Sequence, residues 1–251
     1  MKKSILSCFL LLIFKLLSGQ DNAKALFDRA ASQLVLENTA LSLEITETKK
    51  GGRTKERAFD LLLANFEDVS KSKMLMRKPK RAEGITIVIT QSPKEIGLIE
   101  ILTPANGKVR KMKATPRNLE LIGSGGFDLS FFSMTPDELM VKTLSKTTFN
   151  GKEVSQLEVQ EKDTNAVGER AVFLIDESNA YIYQITSYND ANVESITTFS
   201  NFEKVENANA IFPKNIQVTD QNSGTVSTIS ILKAIPQNNL SPSDFVLPAK
   251  D

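Results

Sequence analysis

The chemistry open to this 251-residue chain is bounded first by two residue types: it has no histidine, and its one cysteine is Cys8. Without histidine, Ser/His/Asp and Cys/His nucleophilic sites and His-based zinc sites are excluded. Carboxylates, lysine, tyrosine and serine remain as acid–base or nucleophilic groups. The acidic groupings are Glu67-Asp68, Asp137-Glu138 and the set Glu158, Glu161, Asp163. Adjacent carboxylates on strands and turns are ordinarily solvated surface. The reading is therefore a protein that is not an enzyme, with no cofactor and no metal. Gly123-Ser124-Gly125-Gly126 resembles a phosphate-cradling loop, but no Lys-Ser/Thr follows it and no helix starts directly after it. A bent strand connection fits it better than a nucleotide site.

Binding offers more than catalysis. Phe127, Leu129, Phe131, Phe132 and Met134 form the densest aromatic cluster in the chain, and Leu139 and Met140 follow closely. Two roles fit these residues: packing the protein's own core, or lining and closing a cavity for an acyl chain, since aromatics and methionine supply large, adaptable apolar surface. Lys71, Lys73, Arg77, Lys78 and Lys80 read as solvated strand edges that discourage sheet-to-sheet aggregation. Arg110 and Lys111 admit a second role, contact with lipid phosphates or a membrane surface.

Residues 1–20 read as an export signal: Lys2 and Lys3, an apolar stretch from Ile5 to Leu17, then Ser18-Gly19 before a cut expected between Ser18 and Asp21. An uncleaved N-terminal anchor is the alternative, disfavoured by the short stretch and by Lys15. Cys8 lies too near the start of that stretch to be a lipidation site and acts there as a small apolar residue. Removing the signal leaves no cysteine and takes Lys2, Lys3 and Lys15 with it, so the formal net charge moves from +1 to −2. Nothing in that balance draws the protein toward nucleic acid.

The elements that must position these residues are mainly strands. Asp21 to Glu37 has the period of an amphipathic helix, with Leu26, Ala30 and Leu34 on one side. Leu41, Leu43 and Ile45 then alternate, Lys49-Lys50-Gly51-Gly52 makes a turn, and Phe59, Leu61 and Leu63 share a face. Lys73 to Lys78 is a further short strand. From Gly84 the chain reads as a meander: Gly84–Thr90, Leu98–Leu102, Val109–Met112 and Leu119–Ile122, with Asn106-Gly107 as its strongest hairpin signal. Thr135-Pro136-Asp137-Glu138 is a capping box ahead of Leu139, Met140 and Val141, which predicts a short middle helix. Strands resume over 152–160, 169–176, 180–187, 193–202, 210–219 and 225–233, with Asn222-Ser223-Gly224 as another tight turn.

No linker or fixed repeat divides residues 21–251, so one mainly β domain is expected. Its sheet of about 11 antiparallel strands should curl into an incomplete (half) barrel. The N-terminal helix and the short middle helix would cover its concave face.

The order of these motifs resembles a family. A helix follows the signal, strands end in Arg77-Lys78-Pro79-Lys80, and a Gly-led strand and a Thr103-Pro104 turn come next. The basic strand Lys108-Val109-Arg110-Lys111 and Gly-Ser-x-x-Phe-Asp-Leu (Gly123 to Leu129) complete the series. The chain is similar in this to the outer-membrane lipoprotein-sorting proteins, the LolA-like exported bacterial proteins, best from Arg57 to Glu158. It departs from them in having no tryptophan before the proline turn and in placing Gly125 and Gly126 ahead of Phe127.

The resemblance implies a periplasmic half-barrel that shelters lipid acyl chains or lipoproteins and moves them toward the outer membrane. Its partners would be that cargo and the inner- and outer-membrane lipoprotein transport components, with the carrier itself a monomer. The alternative is a non-enzymatic scaffold of the cell envelope whose sheet cavity is filled by its own side chains.

Overall fold

A computed structural model describes residues 22–33, 38–92, 95–115, 117–119, 139–162, 169–205 and 211–248. The fold is mainly β. Among the described residues, a helix, α1, covers 22–33. Thirteen strands follow: β1 Thr39–Thr48, β2 Thr54–Phe66, β3 Val69–Lys78, β4 Thr86–Ser92, β5 Glu95–Leu102, β6 Val109–Lys113, β7 Leu139–Phe149, β8 Lys152–Glu161, β9 Glu169–Ile175, β10 Ile182–Asn189, β11 Asn192–Lys204, β12 Ile211–Asp220 and β13 Val226–Pro236. Short 3-10 turns occupy Lys80–Ala82 and Pro242–Phe245. The strand order is β6-β5-β4-β3-β2-β1-β13-β12-β11-β10-β9-β8-β7, so the antiparallel sheet is not closed and β6 and β7 are its two ends. By contacts the chain divides into two compact units, Met1–Leu34 with Met134–Phe199 and Val35–Ser133 with Ser200–Asp251.

In the first unit, α1 buries Ala23, Phe27, Ala30 and Ala31, which recur at i, i+4, i+7 and i+8. Phe27 meets Phe173 of β9 edge-on at 5.2 Å, and three alanines on the same side let the helix approach closely. The Gln33 amide donates to the Asn179 carbonyl at 2.9 Å, and the Arg29 guanidinium donates to the Glu177 carbonyl. The helix is thereby tied to the β9–β10 turn. Of the stripe expected from Leu26, Ala30 and Leu34, Ala30 is buried as expected, Leu26 is half-buried with Phe27 as the anchor in its place, and Leu34 lies outside the described residues.

β7 takes the residues that were expected to give the middle helix its apolar surface. Leu139, Met140 and Val141 open a strand paired with β8 from Leu139↔Glu161 to Phe149↔Lys152, with a bulge between Thr143 and Ser145. The expected capping residues 135–138 lie outside the described residues. The ladder with β8 supplies cross-strand partners along one edge of β7, where a helix would need its own i→i−4 bonds.

The second unit carries the expected meander. β4, β5 and β6 pair in sequence, and at the β5–β6 turn Gly107 donates to the Thr103 carbonyl at 3.0 Å with φ +62°. Leu119 sits in a helical turn at 117–119 rather than in a fourth strand, and 120–122 lie outside the described residues. The lysines and arginines of β3 are not at a sheet edge, because β3 lies between β2 and β4. Lys78 pairs with Glu44 at 2.9 Å and Arg77 with Asp60 at 2.5 Å, and Lys73 donates to the Asp244 carbonyl at 2.7 Å. These cations tie neighbouring segments together.

Candidate apolar ligand site

Alternation along β1 is strict: Thr39, Leu41, Leu43, Ile45 and Glu47 are buried, and the residues between them are half-buried. Because opposed residues of an antiparallel pair project from the same face, the register carries that face outward strand by strand. Leu41 stands opposite Leu61, Leu61 opposite Met74, Met74 opposite Ile87, Ile87 opposite Ile101, and Ile101 opposite Arg110. Five apolar side chains thus form one row from β1 to β5, and the row ends in a cation on β6. The adjacent row reads Thr39, Leu63, Ser72, Ile89, Ile99 and Met112. Toward the β1–β2 turn, Leu43, Phe59 and Met76 extend the face, and Ile229 and Ile231 of β13 continue it past β1.

Most of this surface is out of water. Ile99 is 0% exposed, Leu61 1% and Leu41 2%, while Leu63, Met76, Ile101 and Met112 are only half-buried. Side chains buried this fully each contribute about 1.5–3 kcal/mol. The reverse face is sealed differently. There Phe245 and Leu247, near the end of the chain, pack against Ala64 and Val88, with Leu62, Phe66, Leu102, Val109 and Leu240 around them. Phe245 meets Phe66 edge-on at 5.7 Å, and a capping box of Ser241 and Asp244 shapes the turn that delivers it.

Arg110 and Lys111 are therefore separated by the pleat. Arg110 belongs to the apolar row, whereas Lys111 is on the reverse face, paired with Glu100 at 2.8 Å. Leu139 and Met140 stand in β7, at the opposite end of the strand order from β6, and Met140 is exposed. Phe127, Leu129, Phe131, Phe132 and Met134 lie outside the described residues. The row from Leu41 to Ile101 is the feature that sequence reasoning missed. Its signal was present in the alternation of each strand, and the register that aligns the strands was the missing part.

Glu158 is buried and held between Lys142 at 2.5 Å and Arg170 at 3.2 Å. Glu67 and Asp68 form the β2–β3 turn. A polar cavity of about 260 Å³ in the first unit is lined by Glu153, Val154, Asp176, Glu177 and Ser178. Its groups are engaged with one another. Ser155 donates to Glu177, whose carboxylate also takes Lys146 at 3.2 Å. Asp176 accepts from the Ser178 hydroxyl at 2.6 Å and amide at 2.9 Å. Burial pushes the Asp176 carboxyl up, but these hydrogen bonds and one from Tyr183 outweigh it and hold the group below its ordinary value. The cluster fastens the β9–β10 turn to β8.

Comparison with known proteins places this geometry. Residues 68–248 match the model of a family described as "Uncharacterized protein", and the chain belongs to that family. No curated protein matches the sequence. Among solved structures, a putative outer membrane lipoprotein-sorting protein domain from Vibrio parahaemolyticus superposes with a TM-score of 0.72 at 18% identity, covering 91% of this chain and 96% of that one. A DUF1329 family protein from Desulfovibrio piger gives 0.69 at 17% identity, covering 89% and 97%. A LolA superfamily protein from Nitrosomonas europaea gives 0.68 at 13% identity, also covering 89% and 97%. At these identities the likeness to these three structures is one of fold.

Proposed function

We propose that the protein is an exported, non-enzymatic carrier that holds the acyl chain of a lipid or lipoprotein against the apolar face of β1–β6 and moves it across the periplasm toward the outer membrane. In this reading the export signal is removed near residues 18–21 and the carrier works as a monomer. It would receive and deliver its cargo through inner- and outer-membrane lipoprotein transport components. The observation that carries the reading is the cross-strand row Leu41, Leu61, Met74, Ile87, Ile101. It supplies a continuous hydrocarbon surface across five strands in a fold shared with a lipoprotein-sorting domain. Each methylene buried there contributes about 0.8 kcal/mol, so a single long chain binds without a dedicated polar contact. Phe127, Leu129, Phe131, Phe132 and Met134 are proposed to line or close the site, on the strength of their sequence alone.

Native mass spectrometry of the protein purified from a bacterial envelope, followed by lipid extraction, tests the proposal. A retained acylated molecule, with saturable uptake of a fluorescent fatty acid that Phe131→Asp abolishes while the sheet stays folded, is the expected result. A second reading has its own support. The depth of burial of Leu41, Leu61 and Ile99 is also what a face filled by the protein's own side chains produces. A protein that carries no lipid and takes up no acylated ligand is the scaffold of that second reading.

A further inference from the structure

The carrier reading leaves the head of the ligand unspecified, and the row supplies it. Its six positions, Leu41, Leu61, Met74, Ile87, Ile101 and Arg110, hold five hydrocarbon side chains and one guanidinium, in that order from β1 to β6. Five strand spacings of about 4.8 Å give the row a length of about 24 Å, the scale of a long acyl chain. Neither this row nor its neighbour contains a carboxylate. Arg110 is exposed, and no described residue forms an ion pair with it, while the adjacent Lys111 is neutralised by Glu100 on the other face. The residues beside Arg110 on its own face, Ile101 and Met112, are half-buried, so apolar surface stays partly accessible where the charge stands. A cation at one end of an apolar track is complementary to an amphiphile with an anionic end, and a guanidinium suits a carboxylate or phosphate through paired donors.

Resting on the carrier reading, we infer that the ligand is an acyl chain with an anionic head, lying across the strands with its tail along Leu61, Met74 and Ile87 and its carboxylate or phosphate on Arg110. Lys111 takes no part.

The test compares three probes of one chain length on the purified protein: palmitic acid, methyl palmitate and palmitoyl lysophosphatidic acid, each displacing a fluorescent fatty acid. Wild-type protein should prefer at least one of the anions to the neutral ester by about tenfold, as expected for a charge-assisted hydrogen bond. Arg110→Gln should bring the affinity for the anions down to that for the ester, and Lys111→Gln should keep the preference. An Arg110-dependent preference for the acid points to a fatty carboxylate, and one confined to the lysophospholipid points to a phosphate head. If all three probes bind equally well, or Arg110→Gln retains the preference, the assignment of the head is overturned and the carrier stands. If none of the three binds, the carrier reading falls and takes this inference with it.

Discussion

Phe27 of α1 and Phe173 of β9 meet edge-on with ring centroids 5.2 Å apart, and both rings are almost wholly buried. The pair joins the helix to its unit more than any polar contact does, since the Arg29 and Gln33 bonds lie at the rim. Phe27→Ala should cost about 3–5 kcal/mol, read as a lower denaturant midpoint at unchanged m-value. Leu26→Ala, on the half-buried side, should cost clearly less. Equal costs for the two would mean that the helix does not dock through Phe27.

The C-terminal segment should act as a stopper for the reverse face. Phe245 is 1% exposed against Phe66, Ala64 and Val88. Phe245→Ala should destabilise by about 3–5 kcal/mol, whereas Val246→Ala, at a side chain 64% exposed, should shift the thermal midpoint very little. A silent Phe245→Ala would remove that role from the segment.

Gly97 in β5 is required for steric reasons. A Cβ there would stand 2.4 Å from the Thr90 carbonyl oxygen and 3.1 Å from the Ala114 Cβ, beside the register shift between Thr90 and Ser92. Backbone rather than a flexible side chain is in the way, so Gly97→Ala should cost about 1–3 kcal/mol. Gly51→Ala, where a Cβ meets nothing within 4 Å, is the control. Thermal unfolding of the two variants side by side decides the point.

Acid should loosen the first unit through Asp176 and Glu177. Asp176 is pushed up by burial but held lower overall by Ser178 and Tyr183, and Glu177 is lowered first by the Ser155 hydroxyl and then by Lys146. The unfolded chain binds these protons at higher pH than the fold does. Their stabilisation is therefore complete above the unfolded value of about pH 4 and is lost as pH falls through the lowered folded values. Asp176→Asn should be less stable at neutral pH and should lose less of its thermal midpoint than wild type between about pH 5 and pH 3. An identical pH dependence in wild type and variant would rule the group out.

Local chemistry made much of the fold legible before any tertiary contact was known. The turns at Lys49–Gly52, Asn106-Gly107 and Asn222–Gly224 are short-range, each placing a glycine at a positive φ that other residues resist. The strands they join were found within a few residues.

Two things depended on the assembled sheet. Leu139 to Val141 follow a helix-capping signal yet form the start of β7, because pairing with β8 gives them cross-strand hydrogen-bond partners that no local signal specifies. Arg110 and Lys111 look equivalent in the chain, but one residue of register puts the first beside Ile101 on the apolar row and the second against Glu100 on the other face. Composition and alternation by themselves determined that this chain builds antiparallel strands with an apolar side. Which side chains align across β1 to β6 was decided by pairings such as Leu61 with Met74 and Ile101 with Arg110, whose cross-strand geometry exists only once the strands have met.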